Sequence, residues 1–179
     1  MSDVKIEAKT REQSFVDSIM KRCQNDKGLA SRLKNAVNPA LEYQSWEILA
    51  GYGINLERLP ERQRFALIAS SIASAKINKE GSMTFGKALA DAYPEGPKSN
   101  SAKAKMRRLL ACHDIEEACK VLRPMIRLIQ SRVSAPFNHS RLLGQLRSFE
   151  FDSQRIKAQW AQEFYSVSFN IKDTEAVST

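Results

Sequence analysis

Cys112, His113, Asp114, Glu117, Cys119 and His139 are the residues of this chain whose types could hold a metal or move a proton. Zinc asks for thiolates and imidazoles in closely spaced pairs. Cys112 and Cys119 are too far apart for such a pair, and His139 lies far down the chain. Asp114 and Glu117 have the spacing of a helix N-cap and its capping-box partner, which accounts for both carboxylates without an acid–base pair. Neither histidine stands in a nucleophile motif, and no glycine-rich phosphate loop is present. We therefore expect no catalytic residues, no metal and no cofactor. The three cysteines, Cys23, Cys112 and Cys119, read as reduced thiols. Cys119 falls on an apolar helix face, where a free thiol acts as a small hydrophobe.

The chemistry this chain does offer is charge. Residues 98–160 contain 13 Lys/Arg and 5 Asp/Glu, which equals the whole chain's net charge of +8. The remainder balances to zero. A basic region beside a neutral one points to a polyanionic partner. Arginine outnumbers lysine 8 to 5 in that region, and its planar fork suits phosphate oxygens. The cations recur at helical spacing. Lys105, Arg107, Arg108, Lys120, Arg123, Arg127, Arg155 and Lys157 neighbour apolar stripes on three helices, and are the expected phosphate-binding set. The aromatics do not interleave with them as on a base-stacking platform, which favours backbone contacts over sequence readout. Trp46 and Trp160 fall on apolar stripes and read as core. Lys87 reads equally as a solvated charge or an anion contact.

Helices must position these cations. Glycine is scarce, and no sustained alternation suggests strands. A first helix starts near Thr10, with Gln13 completing a capping box. A second runs from about Lys27 through Val37. Asn38-Pro39 ends it and starts the next, which finishes at Gly51-Tyr52-Gly53. Leu59-Pro60 opens a long helix to about Ile77, with Phe65, Ile68, Ile72 and Ala75 on one side. Ser82 caps a short helix over 83–93, in which Gly86 serves close helix packing. After Pro94-Glu95-Gly96-Pro97, helices are expected over about 100–112, from Asp114 onward, over 139–148, and from Ser153 to Ser166. Pro124 should kink or split the second of these.

The fold class is all-α, with two packed helical lobes. The expected divisions are a disordered N-terminus (1–9), an N-terminal lobe (10–93), a linker (94–97), a basic lobe (98–168) and a disordered tail (169–179). No apolar run reaches the ~20 residues that span a bilayer, and Met1-Ser2-Asp3-Val4-Lys5 carries no apolar signal core. A cytoplasmic protein without a membrane partner is expected.

From about Leu41 to Tyr165 the chain resembles a known family. Glu61-Arg62-Gln63-Arg64-Phe65-Ala66-Leu67 opens the long helix, and Phe85-Gly86-Lys87-Ala88-Leu89-Ala90 follows. Then come Arg107-Arg108-Leu109-Leu110, Leu122-Arg123 and Trp160-Ala161-Gln162-Glu163-Phe164-Tyr165. Their order and spacing resemble the small subunit of the type I-E CRISPR Cascade complex, the CasB family. Two departures stand out: Gly-Lys-Ala-Leu replaces the family's usual Gly-Arg-Ala-Leu, and Pro124 follows Arg123. The resemblance implies a non-enzymatic helical subunit, present with a second copy of itself beside the other Cascade subunits and crRNA. It further implies contacts that hold target DNA and the displaced strand in the R-loop. The alternative from a different class is a stand-alone helical DNA- or RNA-binding protein such as a regulator, which would need a recognition helix with exposed base-reading side chains.

Overall fold

The computed structural model describes residues 7–166. The expected terminal disorder at residues 1–6 and 169–179 lies outside them. Helix α1 (Arg11–Asn25) begins where its capping box says it should: the Gln13 amide donates to Thr10 Oγ1 at 3.2 Å, and the Thr10 amide to Gln13 Oε1 at 2.9 Å. Asp26 caps α2 (Lys27–Lys34) by accepting from the Leu29 amide at 2.9 Å. A 3-10 turn over Asn35–Val37 follows. Pro39 does not start a helix. Asn38 Oδ1 accepts instead from the Ala40 amide at 3.1 Å, and this local turn competes with helical pairing. Helical structure resumes as a 3-10 turn at Glu42–Ser45 and continues into α3 (Trp46–Gly51).

Helix α4 (Leu59–Ala75) is the centre of the molecule. A one-sided stripe was expected, but burial runs all round it from Arg64 to Ala73, because α1, α2, α7 and α8 all lie against it. Its run of alanines and serines keeps the helix thin enough for those neighbours. Ala75 is exposed, and Lys76, in the left-handed region at φ +52°, ends the helix. Helix α5 (Phe85–Asp91) is capped by Thr84, not Ser82. Met83 is held extended by a bridge to Phe137, and its carbonyl accepts from the Asn138 amide at 2.7 Å. The helix cannot begin before that contact ends. Among the described residues this isolated bridge is the only β pairing, and no strand is present.

The remaining helices are α6 (Asn100–Leu110), α7 (Ile115–Arg132), α8 (His139–Phe149) and α9 (Ser153–Tyr165), capped by Ser99, Asp114, Asn138 and Asp152. Pro124 does not split α7. It is exposed, so the carbonyl it leaves unpaired, that of Lys120, is on the side open to solvent. Leu122, Met125, Ile126 and Ile129 bury the opposite face.

Residues 94–97 form a turn leading into a 3-10 segment, Gly96–Lys98, with Pro97 buried. One hydrophobic core runs through both sides of it. Helix α1 lies on α8, α4 on α7 and α5 on α9. The last contact is the closest: a Cβ at Gly86 would fall 2.5 Å from Glu163 Cβ and 2.8 Å from the Trp160 carbonyl oxygen and the Phe164 nitrogen. That is the close packing expected of Gly86.

Candidate nucleic-acid interface

Ser99 starts α6 by accepting from the Ala102 amide. Ala102, Met106 and Leu109 turn inward at helical spacing. That register sends Lys103 and Arg107 to one flank and Lys105 and Arg108 to the other. Helix α6 contains no acidic residue. None of its four cations has a carboxylate partner among the described residues. Arg107 and Arg108 are exposed, while Lys103 and Lys105 are half-buried.

Helix α6 packs on both α7 and α9, so it joins the three helices of the expected set, but their cations differ in what they are free to do. Arg127 is exposed and unpaired. Arg123 is an anchor: its Nη1 donates to the Val37 carbonyl at 2.6 Å. Burial, with the neighbouring Arg127 charge, lowers its pKa from the ordinary value. Lys120 pairs with Glu116 one turn back at 2.7 Å, and Arg155 with its own helix cap, Asp152, at 3.2 Å. Such exposed pairs are weak and open to exchange with a phosphate. Lys157 Nζ sits 5.8 Å from the centroid of Phe149.

The Cys112 thiol lies in the connection between α6 and α7. Burial pushes it up, and so does Glu117, while Lys157 and Arg108 pull it down. Cys119 is buried and its thiol is pushed up to about 12 by that burial, which disfavours the thiolate a metal or an oxidant needs. No cluster of three metal-binding side chains occurs among the described residues, and none of their helices is long and apolar enough to cross a membrane.

Several residues quoted for the family resemblance prove to be structural ties. Glu61 accepts from Arg11 Nη2 at 3.3 Å. Arg62 donates to the Leu56 carbonyl at 2.6 Å and lies over Trp46. Buried Arg64 pairs with Glu150 at 2.9 Å, and Arg58 also pairs with Glu150. Lys87 pairs with Asp91 at 2.6 Å, a turn along α5. Trp160 is fully buried, its indole donating to Gln145 Oε1 at 2.9 Å.

A basic hollow of about 450 Å³ in the N-terminal part was not foreseen. Lys27, Lys34 and Lys76 line it beside Cys23, and none has a carboxylate partner among the described residues. The zero balance hid it: residues 1–97 carry 14 Lys/Arg and 12 Asp/Glu, and residues 161–179, with one Lys and three acids, cancel the excess in the count.

The sequence model of the family described as CRISPR-associated protein Cse2 matches residues 21–165. No curated protein matches the chain. Among solved structures it is similar to CasB from M. ruber, with a TM-score of 0.68, 23% identity and coverage of 96% of this chain and 100% of that one. CasB from Thermus thermophilus gives 0.67 at 20% identity, covering 88% and 99%. CasB from Thermobifida fusca gives 0.60 at 15%, also covering 88% and 99%. These likenesses establish the helical fold. With the family match spanning nearly all of the described helices, the chain belongs to the Cse2 family of CRISPR-associated proteins.

Proposed function

We propose that this chain is a non-catalytic, nucleic-acid-binding small subunit of a crRNA-guided Cascade complex. In it, the chain holds target DNA and the displaced strand while the R-loop is open. Family membership supports the complex. The observation that carries the nucleic-acid reading is α6, a helix with four cations, no carboxylate of its own and no ion-pair partner among the described residues. Arg127 adds to it from α7. Lys105, Arg107, Arg108 and Arg127 form the heart of the surface. Lys120, Arg155 and Lys157 are reserves that swap a local contact for a phosphate, and Arg123 positions α7 against Val37. Residues 98–168 serve the nucleic acid, and residues 10–93 serve contacts with the other subunits and a second copy of the chain.

The physical role needs no base reading. Exchanging a DNA duplex for an RNA–DNA heteroduplex is nearly balanced in free energy, so modest contacts with the opened state decide its lifetime. Guide pairing supplies sequence choice. Cascade reconstituted with Arg107→Ala, Arg108→Ala and Arg127→Ala together should form R-loops of shorter life, by about ten-fold or more, with an unchanged mismatch profile. Each charge-assisted contact contributes about 1.5 kcal/mol at the low end, and salt weakens it. If four α6 cations and Arg127 each engage a phosphate, single-strand affinity should fall with log salt at a slope of about −3.5. Equal R-loop lifetimes for variant and wild type would reject the clamp.

A further inference from the structure

Of the seven described phenylalanines, six are at most 4% exposed; Phe151 is 77% exposed. An isolated exposed apolar side chain is unremarked on most surfaces. Phe151 differs in where it stands and how firmly it is held. It occupies the corner between α8 and α9. Its own amide donates to the Ser148 carbonyl at 3.0 Å, and that of Asp152 to the same carbonyl at 2.8 Å. Beneath it, Phe149 is buried and stacks on Trp160, with ring centroids 5.6 Å apart. The corner is pinned on both sides: Arg58 and Arg64 grip Glu150, and Arg155 grips Asp152.

The charges at this corner favour an anion despite the two flanking carboxylates. Glu150 is shared by two arginines and Asp152 is taken by one, while Lys157 stands over Phe149 with no carboxylate partner. Arg58 also lies 3.9 Å from Glu61, so four cations stand against three acids. Helix α9, which the corner introduces, packs on α6 and its unpaired cations. An exposed ring on a firmly held turn, followed on the same helix by Arg155 and Lys157, can take an unpaired nucleobase, because every base offers a π-face while the cations hold the backbone.

We propose that Phe151 is a stacking platform for an unpaired base of a single strand whose phosphates lie on α6 and α9. This rests on the phosphate-binding reading above and adds the strand's bases as ligands. A protein partner on the same ring is the competing outcome, and the test separates them.

The test uses the full chain, an oligothymidine and an abasic strand of equal length. Wild type should bind oligothymidine more tightly than the abasic strand. Phe151→Ala should weaken oligothymidine binding by about 5- to 100-fold, leave abasic binding and the salt slope unchanged, and keep the wild-type circular dichroism. Phe151→Trp should retain affinity and show indole quenching on binding oligothymidine beyond any change in wild type. If Phe151→Ala binds oligothymidine as wild type does, the platform is overturned and phosphate binding stands. Loss of co-purification with the other subunits, with oligothymidine binding unchanged, assigns the ring to a protein and likewise overturns it. If wild type binds neither strand, both readings fall together.

Discussion

Glu163, half-buried near the end of α9, ties that helix to α5 and α8. It accepts from the Gly86 amide at 3.2 Å, from Arg141 Nη2 at 2.8 Å and from Gln145 Nε2 at 2.9 Å. Gly86 is what allows α5 this near. Gly86→Ala gains about 1 kcal/mol in helix propensity, but its Cβ meets α9 backbone that cannot yield alone. A net loss of about 1–2 kcal/mol is expected, read as a lower urea midpoint. A second carboxylate, Glu80, caps α8 from a distance, accepting from the amides of His139 and Ser140 at 2.8 and 3.0 Å. His139 Nδ1 lies 3.4 Å from Glu80 Oε1, without the alignment of a hydrogen bond. Burial opposes the Glu80 charge, but the His139 ring and the two amides outweigh it and lower the carboxyl from its ordinary 4.5. A lowered folded value means stability that is complete above pH 4.5 and lost as pH falls through the folded value. The stability difference between wild type and Glu80→Gln should therefore be flat above pH 4.5 and close in more acid solution. Denaturant midpoints across pH measure it. The sequence disclosed Gly86, because a glycine inside a helical pattern carries a cost that asks for a reason. It could not disclose Glu80 or Glu163, whose partners lie dozens of residues away and follow no local period.

Among the helices, α7 shows what periodicity can and cannot tell. Its apolar stripe of Ile115, Ala118, Leu122, Met125 and Ile129 was legible and is buried. Its continuity through Pro124 was not, since local propensity opposes it and only packing on α4, α5 and α6 overrides that preference. Pro124→Ala restores an amide able to reach the Lys120 carbonyl. A gain of about 1–2 kcal/mol is expected, below the full proline penalty because the backbone has already adapted. The readout is a higher Tm. The cations of α6 were legible by composition alone. That Arg123 is an anchor and Arg127 free depends on the Val37 carbonyl, which only the folded chain brings alongside. The start of α5 slipped from Ser82 to Thr84 for a similar reason: the contact with Phe137 is long-range, and capping rules see only neighbours.

Across the whole molecule, charge is divided by sequence while the core is not. Net charge is +2 over residues 1–97 and +6 after them, yet α1 leans on α8, α4 on α7 and α8, and α5 on α9. Composition revealed the first division and had no means of revealing the second, because a shared core leaves no mark on net charge. The order in which the chain is made gives this arrangement a further consequence. A ribosome releases α1 to α5 first, with the faces of Phe85, Ala88 and Leu89 still lacking the helix that covers them. They stay uncovered until Trp160 and Phe164 have left the exit tunnel. Completion of the core around α5 thus waits for α9, and the early helices spend that interval as clients for whatever shields apolar surface in the cell.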